Sequence, residues 1–79
     1  RGVVQAESRS GRTRAQEDSR RTALWHAIDR LPGKLRITLV LASIEGYDVR
    51  AVGALLGIPE GTVKSRLSLA RQRLREMLR

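Results

Sequence analysis

Five fixed cations, Lys64, Arg66, Arg71, Arg73 and Arg75, crowd into residues 64–75, with the short polar side chains Ser65, Ser68 and Gln72 between them. Guanidinium and ammonium groups only donate hydrogen bonds, whereas hydroxyl and amide groups both donate and accept. Such a set can hold phosphate oxygens and read base edges. Catalysis needs other groups, and the rest of the chain does not provide them. No carboxylate pair is spaced for acid–base work on a pocket-forming scaffold, no serine, histidine and acid recur as a set, and the glycines do not build a phosphate-cradling loop. There is no cysteine, so neither a thiolate metal site nor a disulfide frame has its ligands; His26, the only histidine, reads as a surface or boundary residue, and no metal or cofactor is expected. The chain reads as a binding module, not an enzyme.

The charge distribution points to the same partner. The 79 residues carry 16 Lys and Arg against eight Asp and Glu, a net charge of +8, and six of the basic but only two of the acidic residues lie in 60–79. Half of the excess is thus packed into the last quarter of the chain, which favours a nucleic acid over diffuse basicity. No apolar run approaches the length of a membrane span, and the polar, basic first residues are unlike a signal peptide, so membrane insertion is not expected. Absence of cysteine fits a reducing cytosol. The chain begins at Arg1 and is expected to come from a longer protein.

The elements that must position these cations follow from periodicity. Residues 1–20 mix Arg, Ser, Gln, Glu and Gly with little to bury and read as a flexible linker or tail, leaving 21–79 as one small domain. Ser19 is the expected N-cap of a first helix whose stripe, Leu24, Ala27, Ile28 and Leu31, ends at Pro32-Gly33, with Trp25 half-buried at its flank. In the next run, Leu35, Ile37, Leu39 and Leu41 alternate as in a strand. Its length, from Lys34 to a stop at Gly46, and the lack of a second strand to pair with decide for a helix with Arg36 pointing outward. Asp48 caps a third helix with Val49, Val52, Leu55 and Leu56 facing inward. Gly53 lies on that inner side and implies the close approach of another helix.

Gly57-Ile58-Pro59 then makes a turn, with Gly57 left-handed, and the last helix opens at Glu60 or Gly61, or at Thr62 as N-cap. Val63, Leu67, Ala70, Leu74 and Leu78 form its apolar stripe. Ser65, Ser68, Leu69, Gln72 and Glu76 occupy the opposite face, flanked by Lys64, Arg71 and Arg75 on one side and by Arg66 and Arg73 on the other. Short helix, glycine-bearing turn and long basic helix make a helix-turn-helix, so the fold class is all-α: a small four-helix domain with a C-terminal helix-turn-helix.

Leu31-Pro32, Leu35-Arg36, Gly46, Leu56-Gly57-Ile58-Pro59, Gly61-Thr62-Val63-Lys64-Ser65-Arg66, Ala70-Arg71 and Leu74-Arg75 together resemble region 4 of bacterial sigma factors, most closely the extracytoplasmic-function (ECF) group. The resemblance covers about residues 22–79, and GTVKSRLSLARQRLR is its most specific part. It implies a four-helix domain whose last helix enters the major groove at the −35 promoter element. It also implies docking on the β flap of RNA polymerase, a linker (here residues 1–20) to the domain that reads the −10 element, and a cytoplasmic location at the nucleoid. By resemblance, Thr62, Lys64, Ser65, Ser68 and Leu69 face bases and nearby phosphates, and Arg36 matches a phosphate-contacting arginine. Arg66, Arg71 and Gln72 complete the DNA-facing set read from the helix surface. The expected partners are promoter duplex, polymerase core and an anti-sigma factor, with Trp25, Leu39 and Val40 as candidates for incompletely buried docking residues.

Two departures stand out. Arg50-Ala51-Val52-Gly53 replaces the family's usual acidic residue followed by Ile-Ala, and Leu69 stands where relatives often carry a basic or polar residue. Three other readings share the architecture: the DNA-binding arm of a recombinase, a sigma-like module that binds only an anti-sigma factor, and a dimeric regulator of the LuxR type. Retention of Lys64, Arg66 and Arg71 on the outward face favours DNA binding over the second of these.

Overall fold

The structure, a computed structural model, describes residues 14–79. It consists of α1 (Arg14–Asp29), α2 (Gly33–Leu39) continued by a π-helical turn (Val40–Ile44), α3 (Val49–Leu56) and α4 (Glu60–Met77). Among the described residues there is no strand, as the all-α expectation requires.

The first helix starts earlier than expected. Ser19 lies inside α1 and caps nothing: Arg14, Ala15, Gln16 and Glu17 are strong helix formers, and Glu17 in the first turn suits the positive end of the dipole. Residues 1–13 of the expected linker lie outside the described residues. Only Ala27 and Ile28 of α1 are buried, so its stripe holds for the last turns alone, and Leu24 stays 39% exposed. Trp25 sits half out at 43%. Leu31 is buried beyond the helix end, and Pro32, which cannot donate, separates α1 from α2 while its carbonyl accepts from the N–H groups of Leu35 and Arg36 (3.0 and 2.9 Å).

In α2 the alternating run resolves in favour of helical spacing: Leu35, Thr38 and Leu39 are buried and Ile37 is exposed. Leu39 is therefore core, not a docking residue, whereas Val40 is half-buried. Thr38 sits at 0% exposure among apolar side chains because its Oγ1 donates back to the Lys34 carbonyl at 2.7 Å, leaving no unpaired polar atom. The helix widens into its π turn, where the Glu45 N–H bonds to the Val40 carbonyl (2.9 Å), and it stops at Gly46, whose φ of 85° a side chain would resist.

Asp48 caps α3 as expected, its Oδ1 accepting from the Ala51 N–H at 2.8 Å. The inward face is rotated from the expected one. Val52 and Gly53 are buried and Val49 and Leu56 half-buried, but Leu55 is 58% exposed, since burying Gly53 turns the helix away from Leu55. The core joins all four helices: Ile28, Leu31, Leu35, Leu39, Val52, Val63, Leu67 and Ala70, with Leu56, Ile58, Leu74 and Met77 packed around them.

Candidate nucleic-acid interface

The turn that aims α4 is built around Gly53. Its carbonyl accepts from the Ile58 N–H at 3.0 Å while Gly57, at φ 69° and ψ 36°, takes the left-handed conformation that closes α3. A Cβ on Gly53 would lie 2.8 Å from the Ile58 carbonyl oxygen and 3.7 Å from Val63 Cγ2. The close approach inferred for Gly53 is thus made both by the backbone of the turn, at Ile58, and by the start of the next helix, α4, through Val63 Cγ2 and the Glu60 nitrogen at 3.9 Å. α4 follows at once, with Pro59 as its extended N-cap residue and the Val63 N–H bonded to the Pro59 carbonyl at 3.1 Å. Thr62 is already helical, so it is not the cap; the fixed φ of Pro59 sets the entry.

Once started, α4 is held from below. Val63 and Ala70 are completely buried, Leu67 nearly so, and Leu74 and Met77 pack against the core; Leu78 falls beyond the helix end and is 46% exposed. At about 100° per residue, this places Gly61, Ser65, Ser68, Leu69 and Gln72 on the far side of the cylinder. All five are exposed, as are Lys64 and Arg71 at one edge. Thr62 and Arg66 fall nearer the packed side and are half-buried, so they present less of themselves outward.

The eight candidates on α4 therefore share one helix, six of them fully outward. Arg36 does not belong to it. It lies on α2 and is exposed, and its Nη1 donates to the Asp29 carbonyl at 3.0 Å, satisfying one of the unpaired carbonyls at the end of α1. A bond to an anion would have to come from the remaining donors of its fork.

Sequence reasoning overlooked one position. A Cβ on Gly61 would meet nothing within 4 Å, so packing does not demand a glycine there. Together with Ser65 and Ser68 it keeps the outward face of the first turns low, which lets a partner come close to the helix backbone. The signal was present as a glycine in the first turn of the basic helix.

Among the described residues no group of three or more His, Cys, Asp and Glu is placed to hold a metal ion, and no helix is long and apolar enough to cross a membrane. What is left is a rigidly seated helix with a polar, cationic outer face.

The family model described as "Sigma-70, region 4" matches residues 21–74. The chain belongs to this family. Among similar proteins, ECF RNA polymerase sigma factor SigE of Mycolicibacterium smegmatis is 47% identical over 62 residues, which is 77% of this chain and 24% of that protein. ECF RNA polymerase sigma factor SigM of Mycobacterium tuberculosis is 41% identical over 56 residues, covering 71% of this chain and 29% of its own length. ECF RNA polymerase sigma factor SigW of Bacillus subtilis is 42% identical over 50 residues, covering 63% and 27%. The chain spans about a quarter of the length of these relatives. The resemblance read from the turn and basic helix therefore holds for the region and for the ECF group. Sigma-70 region 4 is a DNA-binding unit of transcription initiation factors, not an enzyme, which sets aside the recombinase and LuxR-type readings.

Proposed function

We propose that this region 4 reads the −35 element of promoters as part of a longer sigma factor, with α4 as its recognition helix, while polymerase supplies the chemistry. The observation that carries the reading is the division of α4. Val63, Leu67 and Ala70 fix it to the core, and Lys64, Ser65, Ser68, Leu69, Arg71 and Gln72 stand on solvent around a low strip. A helix so seated can enter a major groove without repacking, Lys64 donating to guanine acceptors and Ser65, Ser68 and Gln72 to base edges or phosphates. Arg66 and Arg71 flank them as phosphate contacts, and Thr62 lies beside the entry turn. Arg36 adds a phosphate contact from α2, shared with its bond to Asp29. The segment before α1 serves as the linker to the domain that reads the −10 element.

Docking on the polymerase β flap, and capture by an anti-sigma factor, use the apolar groups left outside the core on the elements other than α4. Trp25, Ile37, Ile44 and Tyr47 are each between 43% and 45% exposed, and half-buried Val40 opens the turn that ends at Ile44. One partner would compete with the other for them.

The test is to select duplexes from a random library with the chain tethered to polymerase core. Enrichment of one short upstream motif at a fixed distance from the start site is the expected result. Recovery of unrelated sequences, with binding that depends on salt alone, would defeat promoter reading.

A further inference from the structure

Leu69 is the one large apolar side chain that α4 exposes along its length, and the core does not explain it. It is 40% exposed and is absent from the side chains packed against the buried cluster, unlike Leu74 and Met77 on the same helix. The backbone turns about 100° per residue, so Leu69 lies well over a right angle from the buried direction of Val63, Ala70 and Leu74. Its neighbours one turn away are Ser65 and Arg66 before it and Gln72 and Arg73 after it, all of them side chains able to hydrogen-bond. A single exposed leucine is ordinary on a protein surface. This one stands within a helix face otherwise made of donors and acceptors, on the side where Gly61, Ser65 and Ser68 leave little between the backbone and whatever it meets.

A major groove offers such a side chain one apolar feature, the C5-methyl group of thymine; every other base-edge position there donates, accepts or is a bare C–H. Gly61, Ser65 and Ser68 are short enough to let the helix settle until a four-carbon side chain reaches that depth. We infer that Leu69 is a specificity residue that reads a pyrimidine C5-methyl group, so that one position of the recognised element accepts thymine and 5-methylcytosine and disfavours uracil and cytosine. The inference rests on α4 being the recognition helix and says what one of its side chains selects.

The experiment starts from the upstream motif that the selection returns. Each thymine on either strand is replaced in turn by deoxyuridine, which removes only the methyl group, and binding is measured with the chain tethered to polymerase core. One replacement is expected to weaken binding about three- to fivefold, the scale of one methyl group withdrawn from an apolar contact. Leu69→Ala should bind the thymine and uracil forms of that duplex equally, with a melting temperature close to that of the parent chain because the residue is exposed. At the same position, cytosine should bind weakly and 5-methylcytosine should regain part of the affinity for the parent chain but not for Leu69→Ala. If every deoxyuridine duplex binds like its thymine parent, or if the loss persists in Leu69→Ala, the methyl-reading role is wrong while promoter reading stands. If no motif is enriched at all, the recognition-helix reading fails first and this inference falls with it.

Discussion

Gly53 and Gly61 lie on either side of the same turn, and they are glycines for opposite reasons. At Gly53 the reason is inside the molecule: the missing Cβ would sit 2.8 Å from the Ile58 carbonyl oxygen, and backbone atoms cannot swing away as a flexible side chain can. At Gly61 the space is open to 4 Å, so nothing in the fold excludes a side chain. A glycine in a helix costs about 1 kcal/mol relative to alanine, and at Gly61 the domain accepts that cost without a packing return. The difference separates two halves of the helix-turn-helix. α3 and the turn answer to internal sterics, whereas at the start of α4 the fold itself imposes no such demand.

The largest effect is expected on the internal side. Gly53→Ala forces the Ile58 carbonyl away from α3 and should destabilise the domain by about 2 kcal/mol, overpacking strain of roughly 1–3 kcal/mol or more outweighing the gain in helix propensity. Chemical denaturation measures it, and a variant as stable as the parent would mean that the turn relaxes at little cost. On the external side, Lys64→Ala should leave stability within about 0.5 kcal/mol, because the residue is exposed. It should cost roughly 1–3 kcal/mol of binding to the selected motif, with little change on unrelated duplex. Equal weakening on both would make Lys64 a phosphate contact instead.

The same division explains what could be read in advance. Val63, Leu67 and Ala70 were legible because helical periodicity marks a buried stripe, and Asp48 and Gly57 because caps have local chemistry. Misplacements came where a local signal lost to a wider one. Ser19 is a good cap, but the helix formers before it carry α1 on to Arg14. Of the three candidate starts of α4, Glu60, Gly61 and Thr62, the helix takes the earliest, because Pro59 already sets its entry. Leu55 fitted the α3 stripe until the burial of Gly53 rotated the helix, and Leu39, a candidate for incomplete burial, lies in the core one turn from Leu35. The outward set on α4 followed from the buried set by geometry. The roles of its members did not, since exposure alone does not distinguish a base contact from a solvated side chain.

A smaller effect tests how far the turn depends on the start of α3. Asp48 Oδ1 bonds the Ala51 N–H at 2.8 Å, and α3 has only eight residues in which to recover a lost cap. Asp48→Ala should cost about 1 kcal/mol of stability and Asp48→Asn much less, because an amide oxygen caps nearly as well. Thermal melts of the two variants compare them directly. Equal losses would assign the effect to the charge near the helix dipole and not to the hydrogen bond.

Gly61→Ala has the smallest effect on the fold and gives the sharpest separation of the two glycines. The position is helical, its φ is not in the left-handed region, and the added methyl meets nothing. Stability should therefore rise by about 0.5–1 kcal/mol through the lower entropy of the unfolded chain and better helix propensity. Binding to the selected motif should nevertheless weaken, because the methyl would lift the first turn of α4 away from the groove, with the salt dependence unchanged since no charge is altered. A melt and a binding titration on the same preparation would then move in opposite directions, which neither a damaged fold nor a neutral surface change can produce. Should affinity hold or improve as stability rises, the glycine owes nothing to the DNA, and the low strip of Gly61, Ser65 and Ser68 would have to be explained without a closely approaching partner.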